Sequence, residues 1–410
     1  MTALLAGAAL MNAAMAAASA VSTIVAAGML GAAWAAIPAC AAIGGTGIGA
    51  VVLTRAMRRR DRGSALAAGY AAAGFGGVIA AISTAQRDIA ALAAGMLLLG
   101  LGNAAAQLSR YAAAELFPPR RRAAAMGALL WAVTGGAVGG PLLMAPSGSV
   151  TAFFGGPAVT GPFLFAMVAS SAAAVAATRL PPLPAAADVA PARLRDLSGM
   201  SAARPALAVM VTAQVVMVAV MTATPLAMHM GGQGLDAVGM VLSAHTFGMF
   251  ALSPVTGWMA DRFGARPVML AGLVALVAAT SLAAAESPGA WLRTAALFLL
   301  GYGWNLCFLG GSAHLARDLP VLERVRIEGA VDSGVWAAAA LASLVSTALL
   351  AVAGYGILAG GAGILAVLPA LTLVRLRHRP RRPNSLSSGY GAGHAGSPRK
   401  APASGEMERD

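Results

Sequence analysis

Long apolar runs broken by short basic loops set the pattern of this chain. The runs fall at residues 4–30, 33–54, 64–84, 89–114, 123–144, 160–178, 206–228, 238–260, 267–285, 291–314, 330–353 and 355–375. A hydrocarbon core about 30 Å thick takes roughly 20 helical residues per crossing, and only helices or closed barrels satisfy the backbone inside it. Barrel strands are short and alternate apolar with polar residues, which these runs do not do. The pattern predicts an all-α polytopic membrane protein of about twelve transmembrane helices. The longest polar interruption before the tail is 179–205, with Pro181, Pro182, Pro184 and Pro191. It divides the chain into six-helix bundles at 1–178 and 206–375, joined by a linker. Residues 376–410 are rich in Arg, Pro, Ser and Gly, a composition that cannot bury apolar surface, and are expected to form a disordered tail.

Charge placement orients these spans. The chain is 59% hydrophobic and 10% charged, with a formal net charge of +13. A nucleic-acid binder carries such charge as a continuous basic face on a soluble scaffold. Here the arginines cluster between apolar runs: Arg55, Arg58, Arg59, Arg60 and Arg62, then Arg120, Arg121 and Arg122, then Arg262 and Arg266, then the tail. With the N-terminus inside, Arg87 and Arg293 are the two basic residues on the outer side, and Arg110 lies within a helix. That asymmetry places both termini on the cytoplasmic side of the membrane. Cys40 and Cys307 sit in apolar stretches as small hydrophobes, so no disulfide, metal or cofactor is implied. The first apolar run has no basic n-region and exceeds a signal-peptide core, so it reads as a retained span.

The most specific motif is Gly257-Trp258-Met259-Ala260-Asp261-Arg262-Phe263-Gly264-Ala265-Arg266-Pro267, at the turn between the eighth and ninth spans. Glycines permit a tight turn, and an acid and an arginine at helix ends can pair with each other or with helix dipoles. A pair made in one conformation and broken in another biases a two-state equilibrium. The segment resembles the G-x-x-x-D-R-x-G-R-R signature of the major facilitator superfamily, lacking one of the paired basic residues. The resemblance implies two six-helix halves rocking around a central substrate site, with Gly257, Asp261, Arg262, Gly264 and Arg266 as a gating turn. The matching first-half loop, Thr54 to Gly63, lacks the acid ahead of its arginines and has Asp61 where glycine is usual. Leu101 to Arg120 is similar to the family's fourth helix and following loop. Gly135-Gly136-Ala137-Val138-Gly139-Gly140-Pro141 is similar to the fifth-helix element associated with antiporters. Met221 to His229, His245 to Phe250 and Gly303-Trp304-Asn305 are similar to a bacterial subgroup that includes proposed riboflavin importers.

Polar groups at membrane depth are costly and mark function. His245, midway along the eighth span, is a candidate for proton exchange or substrate hydrogen bonding, or for bridging two helices. Arg110 offers a fixed charge and a fork of donors if it faces the cavity. Gln214 and Asn305, with Asn12, Asn103 and Gln107, can line a cavity or join helices. Trp131 and Trp304 lie away from the interfacial belt and suit flat walls for a planar ligand. Asp332 and Glu328, one turn apart at the start of the eleventh span, suit capping and gating. The expected protein is therefore a monomeric transporter of a small organic molecule, alone or with protons, that either imports a vitamin-like nutrient or exports hydrophobic compounds. A non-transporting receptor or structural membrane protein is the other class left open. An enzyme is not expected, because H-E-x-x-H, nucleophile-elbow and aspartate-rich motifs are absent from the sequence.

Overall fold

The computed structural model describes residues 2–59, 61–115, 122–180, 204–285, 290–318 and 321–377, with backbone alone at 58, 110–115, 122–127, 130, 290, 316–318, 321–334, 336, 372 and 374–377. The central linker beyond 180 and the tail lie outside the described residues. The first half comprises α1 (Thr2–Leu30), α2 (Ile37–Arg59), α3 (Arg62–Gln86), α4 (Ile89–Glu115), α5 (Arg122–Leu142), α6 (Met144–Phe153) and α7 (Gly161–Thr178). The second comprises α8 (Arg204–Met230), α9 (Leu235–Phe250), α10 (Ser253–Phe263), α11 (Ala265–Ala284), α12 (Ala290–Asp318) and α13 (Val321–Arg377).

These elements amount to twelve crossings among the described residues. Helix α13 is two crossings merged, because Gly354 between them has φ 80° and ψ 170°, a conformation that favours glycine. Two crossings are interrupted, which the unbroken apolar runs did not foretell. The fifth stops at Leu142, after Pro141, and resumes as α6 to Phe153, beyond its expected end at 144. The eighth breaks at Ala251 and Leu252, just ahead of Pro254, whose ring nitrogen has no N–H for the carbonyl one turn back.

Without a hydrophobic drive between helices in lipid, close packing depends on small residues. Buried alanines crowd α1, including Ala8, Ala14, Ala17 and Ala18. Glycines let backbones touch: a Cβ on Gly45 would strike the Leu97 carbonyl, and one on Gly100 the Ala42 carbonyl, where α2 crosses α4. The second half repeats the arrangement where α9 crosses α12, with Gly248 against the Phe298 carbonyl and Gly301 against that of His245.

The halves meet where α2 approaches α13 and α5 approaches α9. Thr347 donates to the Ala33 carbonyl at 3.2 Å, Cys40 to that of Ala340 at 3.4 Å, and Ser243 to that of Val138 at 2.7 Å. All three bonds lie nearer the arginine-poor ends of their helices.

Candidate functional site

The side chains with the most chemistry converge in the second half, on α8, α9 and α12. Trp304 and Phe308 are one turn apart on α12 and share a face, with their rings stacked at 4.9 Å and 19°. Phe250, at the end of α9, meets Trp304 edge to face at 6.2 Å. The Trp304 indole N–H donates to Gln214 Oε1 on α8 at 2.7 Å, which fixes the ring plane. Trp304 remains partly exposed, whereas Gln214 is buried. The result is an oriented aromatic wall with an amide at its edge.

Asn305, the next residue, points elsewhere. It is 1% exposed, and its Nδ2 donates to the Met249 carbonyl at 2.6 Å and to Ser253 Oγ at 2.8 Å. Its Oδ1 accepts from the Thr256 hydroxyl at 2.6 Å. The amide therefore spans the break between α9 and α10 instead of lining a cavity. His245, one turn above the break, is fully buried, and its Nδ1 is 2.9 Å from the Leu297 carbonyl on α12. Its Nε2 has no hydrogen-bond partner among the described residues.

In the first half, Asn12 donates to the Ala8 carbonyl of its own helix, and Asn103 donates to Thr46 Oγ1 at 3.3 Å, joining α4 to α2. Gln107 is partly exposed and makes no side-chain hydrogen bond among the described residues. The Arg110 side chain lies outside the described residues. Trp131 is 60% exposed, on an α5 face where Gly135 and Gly139 have open space beside them, away from the Gly136 and Gly140 face against α1. Among the described residues no ring contact joins it to the Trp304 wall, so the structure does not bring the two tryptophans together.

The motif turn lies between α10 and α11. Gly264, with φ 88° and ψ 160°, ends α10 and starts α11 in a conformation open to glycine. Asp261, Arg262 and Arg266 are exposed, and Asp261 has no ion-pair partner among the described residues. Gly257 has open space around it. The side chains of Asp332 and Glu328 lie outside the described residues. The first-half counterpart is built differently. There Asp61 caps α3, accepting from the Ser64 amide at 3.0 Å. Hydrogen bonding from Ser64 holds its carboxyl below the usual carboxylate range.

Two arrangements at the arginine-poor end escaped sequence reasoning. Arg87, in the left-handed region at φ 55°, reaches the Gly28 carbonyl at 2.7 Å and ties α3 to the end of α1. Tyr355, directly after Gly354, shares a 2.8 Å hydrogen bond with Thr224 and lies under the Arg293 guanidinium at 5.3 Å. An arginine in the first turn of a helix gives no sign in sequence of such a contact.

Twelve apolar crossings in two packed halves, each half with a basic turn after its second crossing, define a polytopic helical membrane transporter. The chain belongs to the major facilitator superfamily. The superfamily's sequence model matches residues 231–404. The MFS-type transporter YddS of Bacillus subtilis (strain 168) is 31% identical over 340 residues, covering 79% of this chain and 78% of that one. The riboflavin transporter RfnT of Brucella anthropi is 34% identical over 136 residues, covering 33% and 34% of the two chains. Among solved structures, the peptide transporter POT in complex with sulfate superposes with a TM-score of 0.68 at 15% identity, covering 92% of this chain and 94% of that one. The protein is thus a secondary transporter and not an enzyme.

Proposed function

We propose that this transporter moves a planar, carbonyl-rich organic molecule, stacked on Trp304 and hydrogen-bonded at its edges by amides. One observation carries the reading: the Trp304 ring is held in orientation by Gln214 and backed by Phe308, while the residue remains partly exposed. An indole fixed in this way loses little entropy on stacking, and its flat face accepts a heterocycle with no charge requirement. Gln107 adds a partly exposed amide from α4 with no side-chain hydrogen bond among the described residues. The partial similarity to RfnT supports a flavin-like ligand.

The arginine-rich face is cytoplasmic by the positive-inside rule, which puts both termini there and places the contacts between halves on the outer side. The conformation is then closed outside, with Asp261 making no ion pair among the described residues. Outward opening separates the halves at Thr347, Cys40 and Ser243 and brings the cytoplasmic turn together. His245, bridging α9 and α12, is an ionisable group within a span that offers a route to proton coupling.

The test is thermal stabilisation of purified protein by flavins, other planar vitamins, organic anions and hydrophobic drugs. A ligand at a hundred times its Kd adds about 2.7 kcal/mol of stability. Stacking on an aromatic side chain is worth about 1–3 kcal/mol, so Trp304→Ala should weaken binding roughly tenfold or more. A flavin hit retained in full by Trp304→Ala refutes the stacked geometry. Hits confined to hydrophobic drugs move the reading to efflux. Flux of the hit in proteoliposomes, with and without a proton gradient, decides direction and coupling.

A further inference from the structure

The broken eighth crossing holds a device that the substrate wall does not explain. A transmembrane helix that stops at Ala251 and restarts at Ser253 strands backbone carbonyls in a medium with no water to receive them. Pro254 makes this unavoidable, since it has no N–H to return to the preceding turn. Left alone, such a break is a free hinge, and the half-helix beyond it, α10, carries Asp261 and Arg262 to the cytoplasmic turn.

The hinge is not left alone. The amide of Asn305 uses both N–H groups and its carbonyl on the break: Met249 above it, Ser253 at the restart, Thr256 one turn into α10. The Met249 carbonyl settles which end of the amide is nitrogen, because an oxygen there would face another oxygen at 2.6 Å. Three bonds from one rigid, fully buried group to both sides of a break fix an angle and not merely a distance. The carrier of that group is α12, and Trp304 is its neighbour in sequence. The first half provides the contrast: Asn103 makes one bond of 3.3 Å to Thr46 in α2, which runs unbroken from Ile37 to Arg59.

We infer that Asn305 is a positioning residue that braces the half-helix α10, and with it the gating turn, on the helix that forms the aromatic wall. The brace makes α10 follow α12 as one body, so a rearrangement of the wall is delivered to the Asp261 turn. This inference rests on the reading of the turn as a gate, but the brace itself can be measured without any ligand.

Hydrogen exchange of the full-length protein in lipid nanodiscs tests it. Asn305→Leu keeps the number and branching of the side-chain heavy atoms and removes every polar atom of the side chain. It should raise amide exchange across 253–264 by tenfold or more, while α11 and the earlier turns of α9 keep wild-type protection. Thr256→Val, which removes one bond of three without altering shape, should give a smaller rise in the same segment, and it serves if Asn305→Leu does not fold. Asn103→Leu should leave 253–264 untouched. Unchanged exchange in both the Asn305 and Thr256 variants overturns the brace. So does an equal rise throughout the second half, which would make Asn305 a general packing residue. Because no substrate is added, failure here is separate from failure of the stacked-ligand reading.

Discussion

Asp61 stands where a glycine is usual in this family, yet the chain uses its carboxylate to begin a helix. Its oxygen takes the Ser64 amide at 3.0 Å, one of the four donors that a helix start leaves unpaired. Removing such a cap costs about 1 kcal/mol, so Asp61→Ala should lower the melting temperature modestly and Asp61→Asn much less. The pH dependence has a definite sign. A carboxyl held below its usual range by native hydrogen bonds contributes fully at neutral pH, and the contribution fades as pH falls through the lowered value. Melting curves taken downward from pH 7 should therefore show the wild-type advantage over Asp61→Ala shrinking with acid. An advantage that grows on acidification would remove the carboxylate from the capping role. Such a cap was legible as a residue type but not as a role, since one aspartate in a run of arginines reads equally well as a broken motif.

At the scale of elements, the helices were readable and their interruptions were not. A run of some twenty apolar residues announces a crossing because lipid admits little else, and the expected span 64–84 lies within α3, Arg62–Gln86. Pro141 and Pro254 sit in runs that stay apolar on both sides, so hydropathy passes over the breaks beside them. Asn305 was ambiguous for a related reason: an amide that satisfies a stranded carbonyl and one that greets a ligand look alike in sequence. The glycine crossings of α2 with α4 and of α9 with α12 repeat between halves, as expected of a fold built from a duplicated unit. The turn between α10 and α11 carries its own prediction. If Asp261 latches one conformation, Asp261→Asn should reduce transport severalfold while membrane insertion and thermal stability stay intact. Undiminished transport in that variant would leave the turn as a connector.

Among the described residues, the hydrogen bonds across the halves at Thr347, Cys40 and Ser243 make a join that can be locked. Cys40 already lies 3.4 Å from the Ala340 carbonyl, so Ala340→Cys places two thiols across the interface between α2 and α13. Oxidation should link the halves and stop transport, and a reductant should restore it; cross-linked protein that still turns over would refute rocking about this interface. Substrate and direction were not legible, because they depend on which few polar groups face the cavity, and hydropathy treats all faces of a helix alike. Another property follows from Gly354. A single residue reverses the chain between the last two crossings, and Arg87 with Asp88 is the whole connection between α3 and α4. A protease or antibody would find little chain to grip at either of these two turns, so epitope tags and reporter fusions do not belong in them.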